Sequence, residues 1–86
     1  MFDVTPRLTL FMRRGCHLCT DMLQALDRLQ PELGFEITQV DIDRDPELQR
    51  RYDTRVPVLL IGDAEICYYF LEEQRLRDCL HGLERE

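Results

Sequence analysis

The spacing of apolar residues in the first half of the chain predicts two strands separated by a helix. Apolar side chains dominate residues 7–12 on both faces, which is typical of a central strand covered on each side. Over residues 16–30 they recur every three or four positions, which predicts an amphipathic helix that ends before Pro31. The apolar positions of residues 35–42 change phase half way, so we expect a polar edge strand with a bulge near Thr38.

The second half of the chain predicts a short helix, a hairpin and a final helix. Residues 45–47, Asp-Pro-Glu, supply an N-cap, a first-position proline and an acidic first turn, which together start a helix. Residues 56–61 and 64–69 are strand-like and flank a Gly-Asp turn, which predicts a hairpin. Residues 71–81 are predicted to form a last helix, with Gly82 just past its end. Its predicted apolar face consists of Leu76, Cys79, Leu80 and Leu83.

This order of elements predicts one α/β domain over residues 1–86. A strand–helix–strand unit joins its first two strands in parallel through a right-handed crossover. The hairpin then completes a four-stranded mixed sheet, in the order β-α-β-α-β-β-α, with helices on both faces. No repeat, linker or low-complexity segment interrupts the chain.

Two cysteines, Cys16 and Cys19, lie where the first strand gives way to the first helix. A helix N-terminus carries unpaired N–H groups and roughly half a positive charge, so it favours a thiolate. Such a position lowers a cysteine pKa from about 8.5 to roughly 3.5–7.5. Cys19 follows three residues later on the same helical face, so it can close a short disulfide. A nucleophile with a second thiol in reach is the minimum apparatus for thiol–disulfide exchange.

Positive charge surrounds the first cysteine in the sequence. Arg13 and Arg14 lie just upstream, and His17 adds charge when it is protonated. We expect these residues to tune the Cys16 thiolate. A solvent-exposed helix-start residue is the competing interpretation of His17.

A zinc or cluster site and a pair of inert buried thiols are the alternative interpretations of the two cysteines. Metal sites usually need four ligands, with a second close pair of Cys or His. The remaining candidates are dispersed along the chain and form no second close pair: His17, Cys67, Cys79 and His81. A redox dithiol is therefore favoured over a metal site.

Composition indicates which partners and which cellular location to expect for this dithiol. The net charge of −6 argues against a nucleic-acid partner, because phosphate binding needs clustered cations. No apolar run approaches the roughly 20 residues of a membrane span, and the N-terminus lacks a signal-peptide pattern. We therefore expect a cytoplasmic protein with no membrane partner. In that compartment cysteines are more often catalytic than structural.

Three motifs make the chain resemble the thioredoxin fold in its glutaredoxin form, and in particular the small bacterial glutaredoxin-like proteins. They are Gly-Cys-His-Leu-Cys at residues 15–19, Asp-Arg-Asp-Pro-Glu-Leu at residues 43–48 and Arg-Val-Pro-Val at residues 55–58. The resemblance implies that Pro57 is cis and faces the dithiol. It also implies that the backbone of Val56 pairs with an extended substrate strand.

Several positions depart from the glutaredoxin pattern. Residues 17–18 are His-Leu where the family usually has Pro-Tyr or Pro-Phe, whereas Arg13 keeps the charge of a family lysine that approaches the glutathione carboxylate. The resemblance also places Arg55 beside the dithiol, where it could orient an acidic partner. Cys-Tyr at residues 67–68 and Phe-Leu at residues 70–71 replace the family's Gly-Gly and its acidic recognition residues. We therefore expect weak or no ordinary glutathione binding.

The sequence as a whole predicts a monomeric thiol–disulfide oxidoreductase that needs no cofactor besides its own redox-active disulfide. Cys16 is the predicted nucleophile and Cys19 the resolving thiol. The expected partners are a disulfide-containing protein substrate and a cellular reductant. The alternative is a non-enzymatic module that binds a metal, a cluster or a protein partner through the same face. The residues predicted to bind substrate or tune the thiolate are Arg13, Arg14, His17, Arg55, Val56 and Pro57.

The remaining cysteines and tyrosines are predicted to pack. Cys67 is expected to be a buried thiol that never bonds to Cys16, with a third redox thiol as the competing interpretation. Cys79 is expected to lie in the core. Tyr68 and Tyr69 are expected to pack in the core and at its rim.

Overall fold

The structure, a computed structural model, describes residues 5–84. No helix in this part of the chain is long and apolar enough to cross a bilayer. The elements are β1 (Arg7–Met12), α1 (His17–Leu33), β2 (Glu36–Asp41), a 3-10 turn (Ile42–Arg44), α2 (Pro46–Tyr52), β3 (Val58–Ile61), β4 (Ala64–Tyr68) and α3 (Glu73–Glu84).

The four strands form one mixed sheet in the order β2-β1-β3-β4. β1 is parallel to β2 and antiparallel to β3, and β3 and β4 form the antiparallel hairpin. This confirms the predicted α/β architecture and places β2 at an edge. One core cluster joins the sheet to α1 and α3 through Leu8, Leu10, Met22, Leu26, Leu59, Leu76 and Leu80, among others. A second cluster joins it to the 3-10 turn and α2 through Ile42, Tyr52, Val58 and Leu60, so helices cover both faces.

The prediction of a bulge near Thr38 is wrong. β2 pairs with β1 in unbroken register from Glu36 to Asp41. The apolar phase changes because Ile37 and Val40 are partly buried on opposite faces of the strand, while Phe35 precedes the strand and Ile42 follows it.

The irregularity in strand pairing lies instead between β3 and β4. Leu59 pairs with Cys67 but Leu60 pairs with Glu65, which leaves Ile66 as the extra residue. Ile66 and Cys67 are therefore both buried in the same cluster, although they are neighbours in the sequence.

The first helix runs further than Pro31 predicted. It ends at Leu33, and Gly34 caps it at φ 70°, with its N–H donating to the carbonyl of Gln30 at 2.8 Å. Pro31 lies in the last turn on the exposed side, where its ring is tolerated. α2 begins as predicted, with the Asp45 carboxylate accepting from two N–H groups of its first turn.

The last helix also runs further than predicted, because it continues through Gly82 to Glu84. The expected burial of Cys79 is wrong, since its side chain is exposed. Leu76 and Leu80 form the buried stripe, and Cys79 lies about 100° around the helix from Leu80. The side chain of Leu83 lies outside the described residues.

Candidate active site

Cys16 is the N-cap of α1. Gly15 turns the chain out of β1 at φ 73°, a left-handed value that glycine adopts freely. Cys16 then takes an extended conformation, and its Sγ accepts a hydrogen bond from the Cys19 N–H at 3.1 Å. Cys16 and Cys19 form a disulfide, with their Cα atoms 5.2 Å apart. The predicted placement of the dithiol at the start of the helix is therefore what the structure has.

The two sulfurs differ in accessibility. Cys19 is only 5% exposed and belongs to the core cluster of Ile42, Tyr52 and Val58. Cys16 is half-buried and packs against the margin of that cluster. An external sulfur can therefore approach Cys16 far more easily than Cys19, which is the division that a nucleophile and a resolving thiol require.

The loop before β3 lies against the dithiol. The Val56–Pro57 bond is cis, as the family resemblance implies, and both residues are buried. Val56 shares the core cluster with Cys19, so the tertiary fold brings this loop to the cysteines. Among the described residues, no hydrogen bond uses the N–H or the carbonyl of Val56. These two backbone groups are thus available for an external strand.

Arg13 is held by carboxylates instead of pointing freely toward the cysteines. Its guanidinium lies 2.9 Å from Asp43 Oδ1 and donates to the Asp53 carbonyl at 3.2 Å. The hydrogen bond from Arg13 lowers the pKa of Asp43 below its usual value. We call Arg13, Asp43 and Asp53 the arginine clamp. It joins the loop before Cys16 to the end of α2, three residues before Val56. Its predicted role in substrate binding remains a prediction.

The other two charged residues beside the cysteines are exposed. Arg14 lines a cavity of about 140 Å³ together with Met12 and Cys19. The His17 side chain is 89% exposed, and its Nε2 lies 3.7 Å from a carboxylate oxygen of Asp21. Both lie at the start of α1, and their influence on the thiolate remains a prediction.

Arg55 is engaged on two sides. Its guanidinium lies 2.9 Å from the Glu65 carboxylate, which neutralises its charge. It also lies 4.9 Å from the centroid of the Tyr68 ring and 5.8 Å from that of the Tyr52 ring. Its predicted role in orienting an acidic partner remains a prediction.

Sequence reasoning missed an exposed aromatic segment at the end of β4. Tyr68 is 47% exposed and Phe70 is 66% exposed, so the expected core packing of Tyr68 is wrong. The signal that could have indicated this is the run of three aromatic residues at positions 68–70.

The two free cysteines lie outside the dithiol. Cys67 is 3% exposed, and burial raises the pKa of its thiol. Its expected packing is thus observed, with Cys16 bonded to Cys19 and Cys67 left free. Across the described part of the chain, no group of three or more His, Cys, Asp or Glu side chains is arranged to hold a metal ion.

Comparison with known proteins gives a consistent result. Residues 7–81 match the family model described as Glutaredoxin-like domain (DUF836). An uncharacterized protein of Mycobacterium tuberculosis is 34% identical over 77 residues, covering 84% of this chain and 79% of its own length.

Solved structures agree. Protein Ne2328 from Nitrosomonas europaea has a TM-score of 0.81 and 38% identity, covering 92% of this chain and 96% of its own. Protein XcR50 from X. campestris has a TM-score of 0.67 and 36% identity, covering 87% and 96%. NrdH-redoxin from Escherichia coli, described as a glutaredoxin-like protein, matches with a TM-score of 0.62 over 83% of this chain and 92% of its own. At 23% identity that last similarity shows the fold alone.

Proposed function

We propose that this chain, which belongs to the glutaredoxin-like domain family of the thioredoxin superfamily, is a thiol–disulfide oxidoreductase that reduces protein disulfides. The family and the Cys16–Cys19 disulfide support a thiol–disulfide redox function in general. The observation that carries the specific proposal is the pairing of a half-buried Cys16 at the N-cap of α1 with a buried Cys19 one turn inside. That pairing supplies an activated nucleophile and a protected resolving thiol.

The reaction proceeds in two exchanges. The Cys16 thiolate attacks one sulfur of the substrate disulfide, forming a mixed disulfide and releasing the other substrate sulfur as a thiolate. Cys19 then loses its proton to water and attacks the Cys16 sulfur. This closes the Cys16–Cys19 disulfide and releases the second substrate thiolate. The substrate gains two electrons, and a cellular thiol reductant in the cytoplasm restores the enzyme dithiol.

The substrate is positioned by the loop before β3. The unused N–H and carbonyl of Val56 pair with an extended segment of the substrate, and Pro57 holds that loop against the dithiol. Three residues are expected to tune the thiolate. Arg14 contributes its positive charge, Arg13 fixes the loop before Cys16 through its ion pair with Asp43, and His17 acts from its exposed position at the start of α1.

We expect the substrates to be proteins instead of glutathione adducts. The buried Cys67 and the bulky aromatic side chains after it occupy the positions of the glutathione-recognition residues in the glutaredoxin pattern.

Reduction of insulin by dithiothreitol, followed as turbidity, tests this proposal. We expect the wild type to accelerate the reaction and Cys16→Ser to leave only the rate of dithiothreitol alone. Cys79→Ser is the matched control, since Cys79 is exposed on α3, outside the core cluster that holds Cys19, and its loss should leave the rate unchanged. A wild-type protein without activity that carries iron or zinc after purification would favour the alternative of a metal- or cluster-binding module. Efficient saturable turnover in a glutathione-coupled assay would contradict the preference for proteins.

A further inference from the structure

Two large hydrophobic side chains are exposed in the described part of the chain, and they are separated by one residue. They are Tyr68, the last residue of β4, and Phe70. The segment that carries them is fixed to the substrate loop, because the Tyr69 N–H donates to the Pro57 carbonyl at 2.9 Å. The backbone between the two exposed aromatic residues is therefore hydrogen-bonded to the residue directly after Val56.

The backbone between these two aromatics is strained. Tyr69 has φ 65°, a left-handed value, and the Phe70 N–H donates to the Tyr68 carbonyl at 2.7 Å. These two features define a γ-turn of the rare left-handed type. Non-glycine residues in this conformation are uncommon and persist where the surroundings impose them, often at ligand sites. The exposed side chains of Tyr68 and Phe70 flank this turn.

The Tyr68 ring is also held in place before any substrate arrives. The Tyr69 ring meets it edge-on at 4.9 Å between centroids, and the Arg55 guanidinium lies 4.9 Å from its centroid. A ring fixed on two sides loses little freedom when a ligand packs against it, which favours binding.

We propose that Tyr68 and Phe70 form an aromatic lip that binds an apolar side chain next to the reactive cysteine of an extended protein substrate. A segment paired with Val56 would place alternate side chains on one face, toward or away from the lip. The lip prefers apolar over acidic side chains, since the charge of Arg55 is already neutralised by Glu65. This inference rests on the proposed function and assigns its substrate class.

Matched peptide disulfides provide the test. Two peptides of equal length and charge, one with Leu and one with Ser beside its cysteine, are each joined to 2-thiopyridine through a disulfide. The release of pyridine-2-thione reports the reaction with the reduced protein, and Cys16→Ser gives the background rate. For the wild type we expect the Leu peptide to react about tenfold faster, which corresponds to burial of part of one aliphatic side chain. In the variant that combines Phe70→Ser with Tyr68→Ser, the ratio of the Leu-peptide rate to the Ser-peptide rate should fall to about one, because no ring remains to bury the Leu side chain.

Two controls separate the lip from folding and from the reaction itself. The Leu and Ser rates are compared within one protein, so a general loss of folding or of dithiol reactivity lowers both rates and leaves their ratio unchanged. Phe70→Tyr, which keeps a ring, should retain most of the Leu preference. Two results would contradict the aromatic lip but not the proposed oxidoreductase function. One is reaction through Cys16 with no Leu preference in the wild type, and the other is a Leu preference that persists after loss of both rings. A wild type that reacts with neither peptide would overturn the oxidoreductase itself.

Discussion

The two pairs of cysteines in this chain share one functional group and differ in almost everything around it. Cys16 and Cys19 meet at the start of a helix and form a disulfide across one turn. Cys67 is buried under α1 and α3, and Cys79 is exposed on α3. We expect the helix N-terminus to stabilise a thiolate at Cys16. Burial raises the pKa of the Cys67 thiol. We therefore expect reactivity in this fold to follow from position, since the same residue type forms part of the apolar core at Cys67.

Alkylation should give the largest contrast within the second pair. In native protein with the Cys16–Cys19 bond intact, iodoacetamide should modify Cys79 and leave Cys67 unmodified, since Cys67 is both buried and protonated at neutral pH. Mass spectrometry before and after addition of denaturant measures this. Rapid native modification of Cys67 would contradict its assignment as a packed thiol and reopen the interpretation of a third redox thiol.

Substitution by serine should separate the same two thiols by stability. Cys67→Ser places a hydroxyl in an apolar core, so we expect the free energy of unfolding to fall by about 1–3 kcal/mol. Cys79→Ser alters an exposed position and should change it by less than about 0.5 kcal/mol. Urea unfolding followed by circular dichroism measures both values. An equal loss in the two variants would show that Cys67 is less tightly packed than the structure has it.

The arginine clamp can be compared with a second arginine at the other end of the molecule. Arg77 pairs with Glu32 and Glu73 at 2.8 Å each, and like Arg13 it is partly exposed. Arg13→Gln and Arg77→Gln should both have small effects on stability, because exposed ion pairs contribute little. Only Arg13→Gln should change the alkylation rate of Cys16 and its pH profile in the reduced protein, since only Arg13 precedes the dithiol. Equal pH profiles of Cys16 alkylation in the two variants would show that the arginine clamp does not influence the reactivity of Cys16.

The smallest expected effect is a pH dependence of the clamp. The pKa of Asp43 is lower in the folded protein than in the unfolded chain. Its contribution to stability is therefore complete above the unfolded pKa of about 3.9 and is lost as the pH falls through the lower folded value. Asp43→Asn should be less stable than the wild type at neutral pH, and the difference should shrink below about pH 4. A difference that grows on acidification would contradict this sign.

Local signals predicted the parts of the molecule that depend on neighbouring residues. The helix start at Cys16, the Asp45 cap and the β-hairpin each depend on a few adjacent side chains. The partners of Arg13 could not be predicted, because Asp43 is 30 residues away and only the fold brings the two together.

Other features depend on backbone geometry that side-chain patterns do not record. The turn between Tyr68 and Phe70 contains a left-handed tyrosine, which no residue preference indicates. The bulge at Ile66 depends on the strand register. The orientation of Cys79 depends on where α3 begins, and the sequence pattern predicted that start two residues too early.

The most direct test of the central claim is the location of the mixed disulfide with substrate. Cys19→Ser is combined with Cys79→Ser, to remove the exposed thiol, and the reduced protein is reacted with insulin. The linked peptides are then mapped by mass spectrometry without reduction. The account predicts a stable adduct at Cys16, and none in the matched protein carrying Cys16→Ser and Cys79→Ser. An adduct at Cys67, or an adduct that forms through Cys19 but not through Cys16, would contradict it.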